Sequence, residues 1–119
     1  MILRENSMYA IAVPTSMGVR ITPLDGQPVY CSDTFKMHVT SAETNVASIA
    51  AYLGMRVKVL TNFVKDSPIA RMIKDNLASR HMDYEGKDVP QGGPWGYRHQ
   101  FNIADCGFGV RGPRVHNDR

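Results

Sequence analysis

Residues 40–62, TSAETNVASIAAYLGMRVKVLTN, decide the fold because they join a well-delimited helix to the strand that follows it. Thr40 is suited to the N-cap, since its hydroxyl can accept a hydrogen bond from an amide of the first turn. Glu43 lies three residues later and can bond the amide of the cap residue in return, which completes a capping box. Gly54 suits the left-handed position that ends a helix. The sequence therefore predicts one helix between Thr40 and Gly54.

The predicted helix carries one stripe of apolar side chains, and the segment after it has the composition of a strand. Apolar residues recur at i, i+3, i+4 and i+7, which predicts a single face packed on a core. The stripe consists of Val46, Ile49, Ala50 and Leu53. Residues 56–63 are rich in β-branched and apolar side chains, which is typical of a strand in a covered sheet.

The residues before this helix predict three extended segments. Residues 8–13 form a short apolar run that Pro14 ends, which is typical of a buried first strand. Residues 18–22 alternate apolar and polar side chains, and the extended character resumes at residues 29–39 after a turn that contains proline and glycine. The last two segments predict a half-exposed antiparallel pair.

A second helix and a turn-rich segment follow the central stretch. Ser67 is a good N-cap and Pro68 fits the first helical position, where its missing amide costs nothing. Apolar residues continue with helical spacing, so we predict a helix to about Arg80; they are Ile69, Met72, Ile73 and Leu77. Residues 81–94 predict an irregular loop with a short extended piece. Strand, helix, strand, helix is the order of a right-handed parallel α/β sheet.

The C-terminal part predicts two further strands, at residues 97–103 and 114–119, joined by the glycine-rich stretch CGFGVRGP. The last strand reaches the end of the sequence with nothing after it to cover it, so we expect a truncated domain. Half of a parallel sheet exposes an apolar edge and an apolar face, and we therefore expect the chain to associate with another copy.

Length and charge exclude several classes of protein. With 119 residues there is room for one domain, and the net charge of +3 comes without any run of basic residues, which argues against nucleic-acid or anionic-membrane partners. No apolar stretch approaches the ~20 residues that span a bilayer. Arg4 and Glu5 lie where a signal peptide would need an uninterrupted apolar region. The spacing of Cys31 and Cys106 does not indicate a disulfide, which predicts free thiols and a cytoplasmic chain.

Other reactive side chains give weaker signals. The histidines lack the i, i+4 pairing or the cysteine partners of a zinc site, so scattered surface histidines are the simpler interpretation. They are His38, His81, His99 and His116. Cys106 between Asp105 and Gly107 leaves open a reactive thiol, although no histidine is placed by sequence to activate it. We assign no metal ligand and no catalytic residue.

Three motifs in this order resemble the N-terminal half of a PfkB/ribokinase-family sugar kinase, closest to the 2-keto-3-deoxygluconate kinase and fructokinase branch. The motifs are VTSAETNVASIAAYLG, TNFVKDSPIARMIKDNL and the final GPRVHNDR. The resemblance implies an α/β fold, the N-terminal part of a ribokinase-like parallel sheet flanked by helices, with outlying antiparallel strands that form a lid over a sugar site. It further implies a homodimer, through the lid strands or through strand exchange.

The resemblance also suggests how the chain is divided. Residues 1–119 form a single partial domain. Its sheet core comprises about residues 8–14 and 41–94, and its lid strands comprise about residues 17–39 and 95–119.

The chain departs from the family's pattern at several points. Thr40-Ser41 stands where the family has Gly-Gly, and Thr15-Ser16 stands where it has a glycine and an acid. The family's Gly-Ala-Gly-Asp segment, which supplies the catalytic base and a helix N-terminus for phosphates, is absent from this sequence. The resemblance therefore implies ATP and Mg²⁺ for a full-length parent kinase, but no cofactor and no activity for this chain alone.

Carried over position by position, the resemblance implies six residues that contact a sugar or sugar acid. Ser16 falls on the sugar-binding acid, Ser41 on the second glycine, and Asn45 on the sugar-binding asparagine. The other three fall on a substrate tyrosine and on the end of the second lid pair; they are Arg98, Asn117 and Arg119.

The simpler alternatives stay open for each of these six residues. The asparagine in the first helical turns can satisfy nearby backbone, the arginines can be solvated strand residues, and the serines can be turn and cap residues. A stand-alone binding or interaction module that has kept the fold and lost catalysis is the alternative function.

Overall fold

Strands and helices alternate through the middle of the chain, as the sequence pattern predicts. The computed structural model describes residues 5–107 and 109–118. In chain order the elements are β1 (Ile11–Pro14), β2 (Gly18–Pro23), a 3₁₀ turn (Val29–Cys31), β3 (Phe35–Thr40), α1 (Ala42–Tyr52), β4 (Val57–Leu60), β5 (Phe63–Val64), α2 (Pro68–Ser79), β6 (Asp83–Glu85), β7 (Asp88–Val89), β8 (Gln100–Asp105) and β9 (Arg114–Asp118).

Three parallel strands in the order β1-β4-β6 form the central sheet, and β5 pairs with β7 beside it. Side chains from both helices and from one face of the sheet form a single core. Its centre is fully buried and consists of Val57, Val59, Phe63, Ile73 and Leu77. This arrangement confirms the predicted α/β fold with a parallel sheet.

The opposite face of the central sheet carries ion pairs, which the sequence analysis did not foresee. Lys58 alternates with the buried valines of β4 and pairs with Glu85, with 2.6 Å between Nζ and Oε2. Arg56 pairs with Asp83, with 2.9 Å between Nη2 and Oδ2. The hydrogen bond from Lys58 lowers the pKa of Glu85. The expectation of an apolar sheet face is therefore wrong, because charged side chains occupy the uncovered face.

The N-terminus of α1 differs from the prediction by one residue. Ser41 is the N-cap, and its Oγ accepts a hydrogen bond from the amide of Thr44 at 3.2 Å. Thr40 is still part of β3, where it pairs with Gly18, and this pairing keeps it out of the cap position. The helix ends as predicted, with Gly54 at a φ of 81°.

The predicted apolar stripe of α1 faces away from the core. Val46, Ile49 and Leu53 are 70%, 63% and 70% exposed, whereas the face toward β1 and β4 carries small side chains. The buried side chains are Thr44, Ala47, Ser48, Ala50 and Ala51. The prediction is wrong for three of its four residues, because close packing of a helix on a sheet favours small side chains at the contact.

The second helix agrees with its prediction. Ser67 is the N-cap, its Oγ accepts hydrogen bonds from the next two amides beyond Pro68, and the helix ends at Ser79. The first strand is shorter than predicted: it begins at Ile11, and Met8 lies exposed before it. No helix within the described part of the chain is long and apolar enough to cross a membrane.

The remaining strands form a second sheet in the order β3-β2-β8-β9, which we call the outlying sheet. The β2–β3 and β8–β9 pairs are antiparallel, as predicted, but β2 and β8 join them through a parallel pairing that the sequence did not indicate. The long separation between β2 and β8 along the chain permits this pairing, since parallel neighbours need a long connection.

The carboxylate of Asp105 organises the turn between β8 and β9. It accepts hydrogen bonds from the amides of Gly107 and Arg114 and pairs with Arg111, with 2.8 Å between Oδ2 and Nη2. These partners, above all the Arg111 guanidinium, lower the pKa of Asp105 to about 2. The aspartate is therefore a structural residue of the turn.

Candidate functional site

A polar cleft lies where the carboxyl ends of β1 and β4 meet the start of the outlying sheet. Its volume is 180 Å³, and ten residues line it. They are Thr15, Ser16, Met17, Thr61, Asn62, Val64, Val89, Tyr97, Arg98 and His99. The carboxyl ends of parallel strands are the usual place for ligands in open α/β sheets. The cleft is therefore the candidate site.

Two of the six predicted residues line this cleft, and a third lies directly behind it. Ser16 and Arg98 are lining residues. Ser41 is buried as the cap of α1, and 2.9 Å separates its Oγ from the Oγ1 of Thr15, which does line the cleft. The structure thus brings together residues that are 82 positions apart in the sequence.

A carboxylate joins the two hydroxyl groups at this point. The Thr15 hydroxyl donates to Oε2 of Glu43 at 2.9 Å, and the Ser41 hydroxyl donates to the same atom at 3.1 Å. These groups are suited to sugar hydroxyls, because a hydroxyl group both donates and accepts hydrogen bonds and a carboxylate accepts them. The sequence indicated Glu43 only as a capping residue and gave no prediction of its place beside the cleft. The signal available in the sequence was an acidic residue in the first turn of a predicted helix, two positions after Ser41.

Of the remaining predicted residues, the two that the structure describes, Asn45 and Asn117, do not line the cleft. Asn45 lies in the first turns of α1, and its Oδ1 accepts a hydrogen bond from Nη1 of Arg80 at 3.1 Å. Asn117 lies on β9 opposite Asn102 of β8. Arg119 lies outside the described residues.

Arg98 already has protein partners at the cleft. Its Nη2 lies 2.9 Å from Oδ1 of Asp118, and its Nη1 donates to the carbonyl of Pro94 at 3.1 Å. A ligand carboxylate at this guanidinium would therefore compete with Asp118.

His99 corrects the prediction that all four histidines lie at the surface. Its side chain is buried at the base of the cleft, and Nε2 accepts a hydrogen bond from the amide of Val64 at 3.2 Å. Nδ1 must then carry the proton, and it donates to the carbonyl of Met17 at 3.3 Å. Burial lowers the pKa of His99, although the bond to Met17 opposes this change. The neutral ring therefore connects the outlying sheet to the core.

We expect acid to weaken the fold through His99. Because the pKa is lower in the folded chain than the ordinary 6.5, the unfolded chain binds more protons below that pH. The free energy of unfolding should fall as the pH drops from 7.5 through 6.5 toward the lowered pKa. Urea denaturation at several pH values measures this slope. His99→Gln should flatten it, because the amide keeps both hydrogen bonds without titrating, whereas His116→Gln on exposed β9 should leave it unchanged.

The described residues contain no group of three or more histidine, cysteine, aspartate or glutamate side chains arranged to hold a metal ion. Cys31 and Cys106 are both exposed free thiols.

Solved structures of sugar kinases share the fold of this chain. A PfkB family carbohydrate kinase from Listeria grayi is 22% identical with a TM-score of 0.78, and the match covers 92% of this chain and 32% of that one. A 2-dehydro-3-deoxygluconokinase from Thermotoga maritima is 20% identical with a TM-score of 0.79, covering 92% and 32%. An uncharacterized sugar kinase from Pyrococcus horikoshii, solved in complex with ATP, is 12% identical with a TM-score of 0.72, covering 89% and 33%. Fructokinases match as well.

At these identities the likeness concerns the fold. The described architecture is that of part of a ribokinase-like α/β fold, as the sequence analysis predicted, and its structural neighbours are PfkB-family carbohydrate kinases. The chain spans about a third of the length of the solved structures that it matches. No protein-family model matches this sequence. No curated protein matches it either.

Proposed function

We propose that this chain is the sugar-binding and lid portion of a PfkB-type sugar kinase, whose reaction moves the γ-phosphoryl group of ATP to a hydroxyl of a sugar or keto-sugar acid. The observation that carries the proposal is the polar cleft between the carboxyl ends of β1 and β4 and the outlying sheet. It occurs in a chain whose fold matches sugar kinases over nine-tenths of its length. In this proposal the outlying sheet is the lid.

The role of this chain is to bind and orient the sugar. Thr15, Ser41 and Glu43 offer a connected set of hydrogen-bond donors and acceptors for sugar hydroxyls. Ser16 and Arg98 complete the contacts on the lid side of the cleft. Holding the acceptor hydroxyl in place would lower the entropic barrier to phosphoryl transfer.

Two of the predicted contacts require movements beyond the described arrangement. Asn45 would have to exchange its bond to Arg80 for a sugar hydroxyl. Asn117 would contact the ligand from the last strand of the lid as the lid closes. Arg119, which lies outside the described residues, is the third proposed contact. We keep all three as proposed contacts.

ATP and Mg²⁺ do not fit the residues of this chain. No Gly-Ala-Gly-Asp segment is present in the sequence, and phosphoryl transfer needs both its base and its anion-binding helix N-terminus. We therefore propose that the chain alone binds sugar without phosphorylating it. Catalysis belongs to the two-thirds of the kinase fold that this chain does not include.

Calorimetry with 2-keto-3-deoxygluconate, fructose and ribose tests the proposal. We expect one of these sugars to bind, and Thr15→Val to weaken that binding about tenfold, because it removes the hydroxyl that joins Ser41 and Glu43. Thr34→Val, at an exposed position of the same residue type remote from the cleft, is the matched control and should leave affinity unchanged. Binding of none of the three sugars would contradict the proposal.

A non-catalytic binding module is the second candidate. The changed motifs at Thr15-Ser16 and Thr40-Ser41 favour it, together with the exposed apolar stripe of α1. Tight binding of a protein partner, with no sugar bound in the calorimetry, would support the module over the kinase portion.

We also propose that the lid sheets of two copies pair in a homodimer. Strand β3 is an edge of the outlying sheet and exposes Phe35 and Met37. Unpaired edges and exposed apolar side chains favour association. A stable monomer in sedimentation at micromolar concentration would contradict this proposal, and Met37→Glu should weaken the dimer. The free thiols suit the reducing cytoplasm, which we propose as the location.

A further inference from the structure

We propose that a small apolar pocket beside the cleft binds an aromatic group carried by the sugar, so that the preferred ligand of this chain is a sugar with a substituent about the size of one six-membered ring. The inference rests on the proposed function, because it names the kind of sugar that the same site takes. It assigns a binding role to Ile69 and Phe101, which the sequence did not indicate as site residues.

The pocket adjoins the cleft directly. Its volume is 250 Å³, and three of its lining residues, Val64, Arg98 and His99, line the cleft as well. The two spaces therefore share part of their walls. This places a group attached to a sugar in the cleft within reach of the pocket.

The pocket is more apolar than the cleft. Four of its eight lining residues are apolar, against three of the ten that line the cleft. Val64 is buried, Ile69 and Phe101 are half-buried, and Pro68 is exposed. The pocket therefore has an apolar interior that opens to solvent, which suits an apolar group that enters from a ligand outside.

The start of α2 forms one wall of the pocket and offers no amide to an anion. Helix starts commonly bind phosphate through amides that have no partner within the helix. Here Pro68 has no amide hydrogen, and the amides of Ile69 and Ala70 donate to Oγ of Ser67 at 3.2 and 3.4 Å. The amide of Arg71 donates to the carbonyl of Ser67 at 3.1 Å. The wall therefore presents the apolar side chains of the first turn, which favours an apolar group over a phosphate.

The outlying sheet contributes an aromatic ring and the face of a guanidinium. Phe101 on β8 is paired with Asp118 on β9, so the two side chains point to the same face of this sheet. Arg98 bonds Asp118 through Nη2 at 2.9 Å and the carbonyl of Pro94 through Nη1 at 3.1 Å. Because these bonds lie in the plane of the guanidinium, Arg98 would meet a group in the pocket through its planar face, which stacks on aromatic rings. An aromatic ring is therefore favoured over an alkyl chain.

The volume of the pocket suits a single ring. An apolar cavity of about 150 Å³ is enough to bind benzene inside a protein. A pocket of 250 Å³ therefore holds a six-membered ring together with the atoms that link it to the sugar. Binding would be favourable because it removes the apolar surface of both the ring and the pocket from water.

Calorimetry of the whole chain with matched pairs of glycosides tests this inference. The probes are the methyl and benzyl glycosides of 2-keto-3-deoxygluconate, fructose and ribose, and the members of each pair differ only in the aromatic ring. We expect the benzyl glycoside of the sugar that binds to bind at least tenfold more tightly than the methyl glycoside. Ile69→Asp should remove this preference, because it places a charge in the apolar wall, and should change the affinity for the methyl glycoside less than about twofold. Aspartate is well tolerated in the first turn of a helix.

A control and a second variant accompany this test. Ile49→Asp makes the same change at an exposed position of α1 that does not line the pocket, and it should leave the tenfold preference intact. Phe101→Leu keeps the wall apolar but removes its ring, so we expect an intermediate loss of the preference. If Ile69→Asp does not fold, Phe101→Leu still tests the inference. NMR should also show nuclear Overhauser contacts between the benzyl ring and the methyl groups of Ile69.

Each remaining outcome decides the question. Equal affinity for the methyl and benzyl glycosides, or binding of the free sugar alone, would overturn the inference and leave the proposed function standing. A preference that survives both Ile69→Asp and Phe101→Leu, or one that Ile49→Asp removes, would also overturn it, because the ring would then bind elsewhere. Binding of no sugar and no glycoside would overturn the proposed function and this inference together.

Discussion

Replacing Ile73 with alanine is expected to lower the free energy of unfolding by about 2–5 kcal/mol. Ile73 lies on α2 at 0% exposure, in the core that both helices share with the central sheet. Truncation removes buried apolar surface and leaves a cavity that close-packed neighbours can fill only in part. Urea denaturation followed by circular dichroism measures the loss. If the alanine variant does not fold, Ile73→Val should still cost about 0.5–1.5 kcal/mol.

The matched control is Ile49→Ala on α1. Ile49 is 63% exposed and faces away from the sheet, so the same truncation should cost less than about 1 kcal/mol. Alanine also has a slightly higher helix propensity than isoleucine, which offsets part of any loss. Equal losses at the two positions would show that the outward stripe of α1 is buried in solution, against another copy or another protein.

These two helices show how far the sequence determines the fold. In α2 the N-cap, the proline and the apolar spacing all predict the same helix with the same buried face, and Ile73 and Leu77 are buried as the pattern predicts. In α1 the spacing is as clear, yet the large apolar side chains face outward. Periodicity identifies an apolar stripe but does not say which neighbour covers it. The choice of small side chains at the contact depends on how closely the sheet approaches the helix.

The candidate site, like the fold, could be predicted from the sequence only in part. The resemblance implies sugar contacts for Ser16 and Arg98, and both residues line the cleft, where their role stays a prediction. The place of Glu43 beside the cleft required the tertiary structure, since its partner Thr15 lies 28 positions away in the sequence. The outlying sheet beside the cleft could not be predicted either. The parallel pairing of β2 with β8 aligns residues that are 82 positions apart, and no local pattern encodes that register.

Replacing Gly86 with alanine is expected to destabilise the fold by about 3 kcal/mol or more. Gly86 lies between β6 and β7, where the chain runs beside the link between β4 and β5, and an added methyl group would overlap the backbone carbonyl of Thr61. Rotation of a side chain cannot relieve an overlap with backbone. Two hydrogen bonds hold the two links side by side, from the amide of Thr61 to the carbonyl of Glu85 at 3.0 Å and from the amide of Phe63 to the carbonyl of Lys87 at 2.9 Å.

The same substitution should weaken ligand binding, because Thr61 and Asn62 line the cleft and must move to admit the methyl group. Gly93→Ala is the matched control: nothing lies within 4 Å of the added methyl group, so stability should change by less than about 1 kcal/mol. Urea denaturation and calorimetry of both variants give the two readouts. Unchanged stability in Gly86→Ala would mean that the two links lie further apart than described. A large loss of stability with unchanged sugar affinity in the folded fraction would mean that Gly86 supports the fold and not the shape of the cleft. Sugar binding would then depend on Thr15, Ser41 and Glu43.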